Sequence, residues 1–461
     1  MARVLGQPLL LSLPLLLFCS WIQSSGQASR RYFINTQFYK PGGPVFLMIS
    51  GREPAIRTFI STRYSWVKYA KKLGALCFLL EHRFYGHSQP TGDLSTESLR
   101  YLSSRQALAD IVNFRMEIAK SMELTHNKWV LFGSFYGGSL AVWSRLKYPD
   151  LFAAAVGSSA IVQPKVNYPG YFEVVYGTLN EHNPYCAKAL NEAVNMVAEK
   201  LQRQEYYSSL QADFKLCTPV QQDSNMSRTF FLENLVTMGV ITFENTKNNS
   251  NIVREEKKLS IDNFCDMLTN ASLGSPYHRL AKIENILLME NNADCFQTSY
   301  SKFLDFVSDP VLTEENIFGE RQWLYQACTE FGSFPTMESN NEKHFEIPLR
   351  YFLKQCYDVF SIETTIPSIS RLISATNNFY GGFNITGSKI IFPNGSLDPW
   401  HLLGVTKSIS EELPAILIKG NTVVDGETRS PDMRIISRTD SAAVLQARRK
   451  IFQTLKNWLR Q

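Results

Sequence analysis

The chain has 461 residues, 44% hydrophobic and 19% charged, with 47 Lys and Arg against 42 Asp and Glu. At about 150 residues per domain this exceeds one minimal domain, although a large α/β core with an inserted cap reaches the same size. The composition excludes a disordered chain, and a net charge of +5 gives no case for nucleic acid or a membrane surface as partner.

Residues 1–27 open with Arg3, run almost wholly apolar from Pro8 to Trp21, and end in small and polar residues. That pattern predicts a secretory signal peptide, too short and too Pro-interrupted for a membrane span. No other stretch approaches the ~18 apolar residues of a spanning helix. The expected location is therefore the secretory pathway, ending outside the cell or in the endosomal or lysosomal lumen.

On that route the cysteines become readable. Cys19 leaves with the signal, and Cys77, inside an apolar run, reads as a buried free thiol. Cys186, Cys217, Cys265, Cys295, Cys328 and Cys356 form an even set in one segment, which predicts up to three disulfides with pairing left open. No close Cys or His pairs occur, so zinc is not expected, and nothing points to a cofactor. Asn225, Asn248, Asn270 and Asn384 are glycosylation candidates, and a fifth sequon begins at Asn394.

Strand and helix signals alternate along the first part of the chain. Val45–Ile49 is an apolar run, residues 64–72 read as helix, and Leu76–Glu81 is a second buried strand. Ser103–Ser121 is helical, Trp129–Phe132 a third strand, 138–147 a helix and Ala153–Val156 a fourth strand. Short apolar runs alternating with helices indicate a mainly parallel sheet covered on both faces. From 165 to 375 the strand signal fades, and helical periodicity, cysteines and sequons dominate. Strands return at Lys389–Phe392 and Ala415–Ile418, and the tail 443–459 reads as an amphipathic helix. The expected division is a signal (1–27), a first core part (28–164), a helical, disulfide-stapled cap (165–375) and a second core part (376–461).

The chemistry should sit after the third strand, at Phe132-Gly133-Ser134-Phe135-Tyr136-Gly137-Gly138-Ser139. Strand, Gly-x-x-x-Gly, helix is the setting of a nucleophile elbow, in which the middle residue is exposed on a sharp turn. Here that residue is Phe135. Ser134 lies one position early and would point elsewhere, while Ser139 falls about a turn into the helix, where a Ser more often bonds a local carbonyl. An active serine enzyme using Ser134 or Ser139 is the alternative reading. Asp398, in the loop Asn394–Trp400 after a predicted strand, is the candidate acid that would orient an imidazole. The His should follow it, yet residues 402–461 contain no His, and His401 reads as a loop residue. His82 and His87 read as flanking a polar loop near the site, with His126, His182, His278 and His344 solvated.

Several ordered segments resemble a known family: Arg31–Asn35, Gly43–Leu47, Glu81–Ser88, Leu102–Asp110, Ala141–Trp143, Arg321–Gly332 and Asn394–Trp400. They are similar to the serine exopeptidases that include prolyl carboxypeptidase and dipeptidyl peptidase II. The resemblance implies an α/β-hydrolase core with a helical cap, acting on peptides next to proline or on short N-terminal dipeptides. It places the family's nucleophile on Phe135 and its histidine on Val423, retains the acid at Asp398, and assigns the oxyanion donors to the backbone of Tyr136 and of Gly51. A Gly-Gly-Glu loop of the family becomes Ser50-Gly51-Arg52, reversing a charge. The implied protein keeps a peptide cleft with a broken triad; whether it is a monomer or a homodimer stays open.

Overall fold

The computed structural model describes residues 20–21, 30–220, 225–244, 259–314, 316–338, 345–420, 430–433, 435–438 and 440–461. Most of the signal-like segment, Asn248, His344 and Val423 lie outside the described residues.

Eight strands form one sheet: β1 (Ser20–Trp21), β2 (Arg31–Asn35), β3 (Val45–Ile49), β4 (Leu76–Leu80), β5 (Trp129–Ser134), β6 (Ala154–Ser158), β7 (Ile390–Gly395) and β8 (Ala415–Ile418). Their order is β1-β2-β4-β3-β5-β6-β7-β8. From β4 to β8 every pairing is parallel, whereas β2 runs antiparallel to β4. Both faces are covered. Val45, Leu47 and Ile49 pack under the helices Ser104–Ser121 and Phe135–Lys147, while Phe46 and Met48 face Ser65–Leu73 and the C-terminal helix Ala442–Arg460. Such double burial is why these strands read as unbroken apolar runs. The strand β2 carries no such signal, because all five of its residues are only half-buried at the sheet's antiparallel side.

Register aligns the C-terminal ends of β3, β5 and β6, with Gly133 beside Ile49 and Gly157. Loops leaving these ends share one edge, the place where open parallel sheets hold their ligands. The helix after β5 begins at Phe135, three residues before the expected 138, because Gly137 and Gly138 serve close packing rather than breaking the helix.

Between β6 and β7 the chain builds a helical layer whose apolar core runs from Phe172 to Ile373 and also takes in Phe84, Tyr85, Leu94, Leu99 and Leu102 from the segment after β4. Three disulfides staple it: Cys186–Cys265, Cys217–Cys295 and Cys328–Cys356. Closing loops of 79, 78 and 28 residues restricts the unfolded chain, by roughly 4 kcal/mol each in the chain-entropy account. Cys77 is buried and free. Asn225, Asn270 and Asn384 are exposed, but Asn394 is buried on β7 and donates to the Val405 carbonyl, so the fifth sequon is inaccessible in the fold.

Candidate active site

The turn from β5 into its helix is forced by three glycines. A Cβ on Gly133 would stand 2.0 Å from the Gly137 carbonyl oxygen, one on Gly137 2.5 Å from that of Ile49, and one on Gly138 2.8 Å from that of Ser158. The strand, the helix and the neighbouring strands therefore approach at backbone contact, and the bend falls on position 135. Phe135 takes φ of +53° there, a left-handed conformation costing a bulky L-residue about 1–2 kcal/mol. This is the strained geometry that an elbow imposes on its middle residue, with an aromatic ring on it.

That ring is packed rather than presented. Phe135 meets Trp323 of the cap at 6.0 Å and Trp400 at 5.8 Å between centroids. The Arg52 guanidinium lies over both Phe135 and Trp323, at 5.7 and 5.6 Å. Trp400 is itself stacked on Tyr168, whose hydroxyl donates to the Pro399 carbonyl at 2.6 Å. The reversed charge of the loop after β3 thus sits on an aromatic cluster covering the elbow. The backbone N–H of Gly51 lies beside Gly137, 3.3 Å from where its Cβ would be. Loop and elbow therefore meet where the oxyanion donors Tyr136 and Gly51 were expected.

Asp398 follows β7 and is fully buried. Its Oδ1 accepts the Trp400 N–H at 2.9 Å, while Oδ2 has no hydrogen-bond partner among the described residues. Burial raises the carboxyl to about 7, against the opposing effect of the Trp400 N–H and the Ser159 hydroxyl. His401 does not pair with the carboxylate: its Nδ1 donates to the Asp398 backbone carbonyl at 2.7 Å.

The two serines are otherwise engaged. Ser134 is buried, and its hydroxyl bonds that of Ser430, beneath the turn. Ser139 donates to the carbonyls of Ile161 at 2.8 Å and Phe135 at 3.2 Å, the local satisfaction expected for a helical Ser. Neither touches an imidazole or a carboxylate in these bonds.

His82 departs from its expected place in a polar loop. It is buried, with Nδ1 donating to the Arg83 carbonyl at 2.6 Å and Nε2 3.1 Å from the Tyr136 hydroxyl. A ring whose Nδ1 faces a carbonyl carries its proton there, so Nε2 accepts from Tyr136. Gln326 Nε2 then donates to the same tyrosine oxygen, and Tyr85 donates to Gln326 Oε1. Burial pushes the His82 ring down to about 3 and holds it neutral.

Two groups were not foreseen. Ser158, at the end of β6, donates to Asp432 Oδ2 at 2.6 Å, and Arg448 of the C-terminal helix donates to the Asp432 carbonyl at 2.9 Å. With Ser430 on Ser134, they tie the chain returning after β8 to the underside of the elbow. The only signal was the Ser-Pro-Asp turn at 430–432. Val423, the expected histidine position, precedes this anchor and lies outside the described residues.

Above the elbow helix, cap and core enclose a cavity of about 250 Å³, bounded by Tyr136, Ser139, Trp323, Trp400 and residues 331–335. The family model of serine carboxypeptidase S28 matches residues 23–451. The chain belongs to this serine peptidase family. Human thymus-specific serine protease is 31% identical to this family member over 94% of the chain and 83% of its own length. Human lysosomal Pro-X carboxypeptidase is 27% identical over 94% of the chain and 84% of its own. Among solved structures, epoxide hydrolase VrEH1 from Vigna radiata aligns with 96% of this S28 chain and 98% of its own, at 11% identity and a TM-score of 0.35. The core of this S28 protein is an α/β hydrolase, as its sheet order and elbow require.

Proposed function

We propose that this S28 family member is a peptide-binding protein of the secretory route that no longer hydrolyses peptides. The observation that carries the reading is Phe135, held at the elbow's strained φ with its ring packed on Trp323 and Trp400. A hydroxyl nucleophile has no place there, and the sequence offers no His beyond His401 to act as base. Losing either group of a comparable triad costs about 10⁶ in turnover, leaving roughly 10³ to 10⁴ over water from binding and oxyanion donors. Here both are replaced. The Tyr136 and Gly51 amides, the oxyanion donors by family likeness, would have no alkoxide to serve.

The cavity over the elbow supports retention of binding. Peptides, proline-containing by family likeness, are its expected occupants. Three disulfides and exposed sequons at Asn225, Asn270 and Asn384 suit an oxidising, glycosylating compartment and the lumen of endosomes or lysosomes, or the extracellular space, as destination. A fluorophosphonate probe tests the reading. The purified protein is expected to remain unlabelled under conditions that label an active serine peptidase; labelling of any serine would overturn it.

A further inference from the structure

The net charge of +5 hides a segregation of charge within the fold. The helix Ser65–Leu73 carries Lys68, Lys71 and Lys72, and the C-terminal helix Ala442–Arg460 carries Arg448, Arg449, Lys450, Lys456 and Arg460. Neither contains an Asp or Glu, so these two helices hold more positive charge than the whole chain nets. They lie side by side, with the Tyr69 hydroxyl donating to the Arg448 carbonyl at 3.1 Å. Among the described residues, none of 165–375 enters the apolar cluster beneath them, so this is the sheet face away from the cap. Along the first helix, Arg63, Lys68, Lys71 and Lys72 line a groove of about 930 Å³ that Phe38 and Ile435 help to close, with no carboxylate among its described lining residues. We propose that this groove and the adjoining helix face bind a sulfated polysaccharide chain.

Exposed helices ordinarily interleave the two signs of charge. Those of the cap do so: Lys188 pairs with Glu192, Lys302 with Asp305 and Lys354 with Asp358, each on its own helix. Lys68, Lys71 and Lys72 are exposed at i, i+3 and i+4 on one helix face, and none forms an ion pair among the described residues. Like charges at that spacing disfavour the helix, and only part of the cost is recovered where Lys71 and Lys72 meet its C-terminal end. The neighbouring carboxylate is already committed, since Asp440 is buried and accepts from Arg448 at 2.5 Å. Lys68 is held below its ordinary value first by partial burial and next by Arg448, against the opposing pull of Asp440, with Lys72 adding to the effect. The ammonium groups thus stand in a positive field that a row of anions would relieve.

The layout suits a chain of anions better than a single one. Lys71 Nζ stands 5.7 Å from the centre of the Phe38 ring, at the groove, and Lys72 Nζ 4.9 Å from that of Phe452 on the C-terminal helix. Arg449 and Lys456 flank Phe452 at three and four residues and share its helix face, so the row of cations runs from the groove onto the second helix. A flat bilayer would leave lysines recessed in a groove out of reach. A nucleic acid strand asks for aromatic platforms on which its bases stack, whereas Phe38 is the one ring among the groove's described lining residues and Lys71 already lies over it. A sulfated sugar carries its charge on the rim of each unit and needs only the cations. Such polymers belong to the oxidising compartments that the three disulfides suit.

Heparin is the probe. The intact protein is expected to bind immobilised heparin at about 0.15 M salt and to be released as salt rises, and fully desulfated heparin to bind about tenfold or more weakly. Combining Lys68→Gln, Lys71→Gln and Lys72→Gln should weaken heparin binding about tenfold or more. Combining Lys188→Gln, Lys282→Gln and Lys302→Gln removes the same charge from exposed cap positions and should change it by less than about twofold. Glutamine keeps the helix propensity of lysine, so both variants should fold. A footprint on the wild type needs neither: heparin should protect Lys68, Lys71 and Lys72 from an amine-acetylating reagent and leave Lys188, Lys282 and Lys302 reactive. No binding at that salt, equal binding of desulfated heparin, equal loss in the two triple variants, or protection of the cap lysines instead would each overturn the proposal. Tighter capture by phosphatidylserine vesicles than by heparin would overturn it in favour of a membrane surface. The fluorophosphonate result bears on none of this, because the groove lies on the face away from the cap.

Discussion

The ring of Phe135 stands edge-on to that of Trp400, with 5.8 Å between centroids at an interplanar angle of 73°. Trp400 lies two residues beyond Asp398, so the elbow and the acid loop are joined through aromatic packing where a triad would join them through an imidazole. Stability at position 135 then depends on two opposed terms, the buried ring and the strained backbone. Phe135→Ala is expected to lower the unfolding free energy by about 2–4 kcal/mol, since it removes the ring and keeps the strain. Phe135→Gly removes both and should be the more stable of the two by ~1 kcal/mol. That inverts the usual helix ranking, in which Ala beats Gly by a similar amount. Urea unfolding of the two variants decides it, and Ala ranking above Gly would count against a strained elbow.

Asp398 should make the fold less stable as pH rises. Its carboxyl is raised from 3.8 to about 7, so the folded state holds the proton more tightly than the unfolded state. The benefit is complete below about pH 4 and is lost as pH climbs through 7. Asp398→Asn keeps the acceptor for the Trp400 N–H and adds a donor beside Ser159. It should therefore gain a few kcal/mol on the wild type at pH 8 while matching it near pH 4. Unfolding curves at the two pH values test this; a variant less stable than wild type at pH 8 would show that the carboxylate has a cationic partner.

His82 works in the opposite direction. Its ring is lowered from 6.5 to about 3, so the fold favours the neutral form. That contribution is full above pH 6.5 and disappears as pH falls toward 3. The wild type should lose of the order of a few kcal/mol over this window through His82, and His82→Gln should flatten that part of the profile. Tyr136→Phe strands both His82 Nε2 and the Gln326 amide, at a cost of about 1–3 kcal/mol at neutral pH.

The Cys328–Cys356 bridge lies against the cavity, whose wall includes the adjacent residues Ala327 and Gln355. Replacing both cysteines by alanine should remove about 3–4 kcal/mol of stability. It should also weaken ligand binding in the cavity more than loss of Cys217–Cys295, neither of whose cysteines is among the cavity's lining residues. Melting temperatures and a calorimetric titration with a peptide together measure the two effects.

Much of this was readable before any coordinates. The parallel strands announced themselves because both their faces are buried, and the elbow because its glycines keep family spacing. Position 135 could be named as the bend, and the missing His counted, from the chain alone. What stayed hidden depends on segments far apart in sequence. Gln326 reaches Tyr136 across 190 positions, and Ser430 reaches Ser134 across 296. Neither pairing leaves a periodic or compositional trace. The burial of His82 was missed for a related reason, since its neighbours Arg83, Gly86 and His87 give the segment a polar look while the cap closes over it. Likewise, Trp323 and Trp400 look like ordinary core aromatics until the cap is folded onto the sheet.

The three glycines around the elbow fix its bend through backbone contacts alone, none of which involves the side chain at 135. The turn is therefore indifferent to what it carries. A cysteine placed there would be held by the same scaffold beside Trp323 and Trp400, as a point of attachment for a spin label or fluorophore. Cys77 is the one other thiol free among the described residues, and it is sealed in the core. Position 135 thus becomes a vantage point from which to follow the aromatic cover that the cap lays over the elbow.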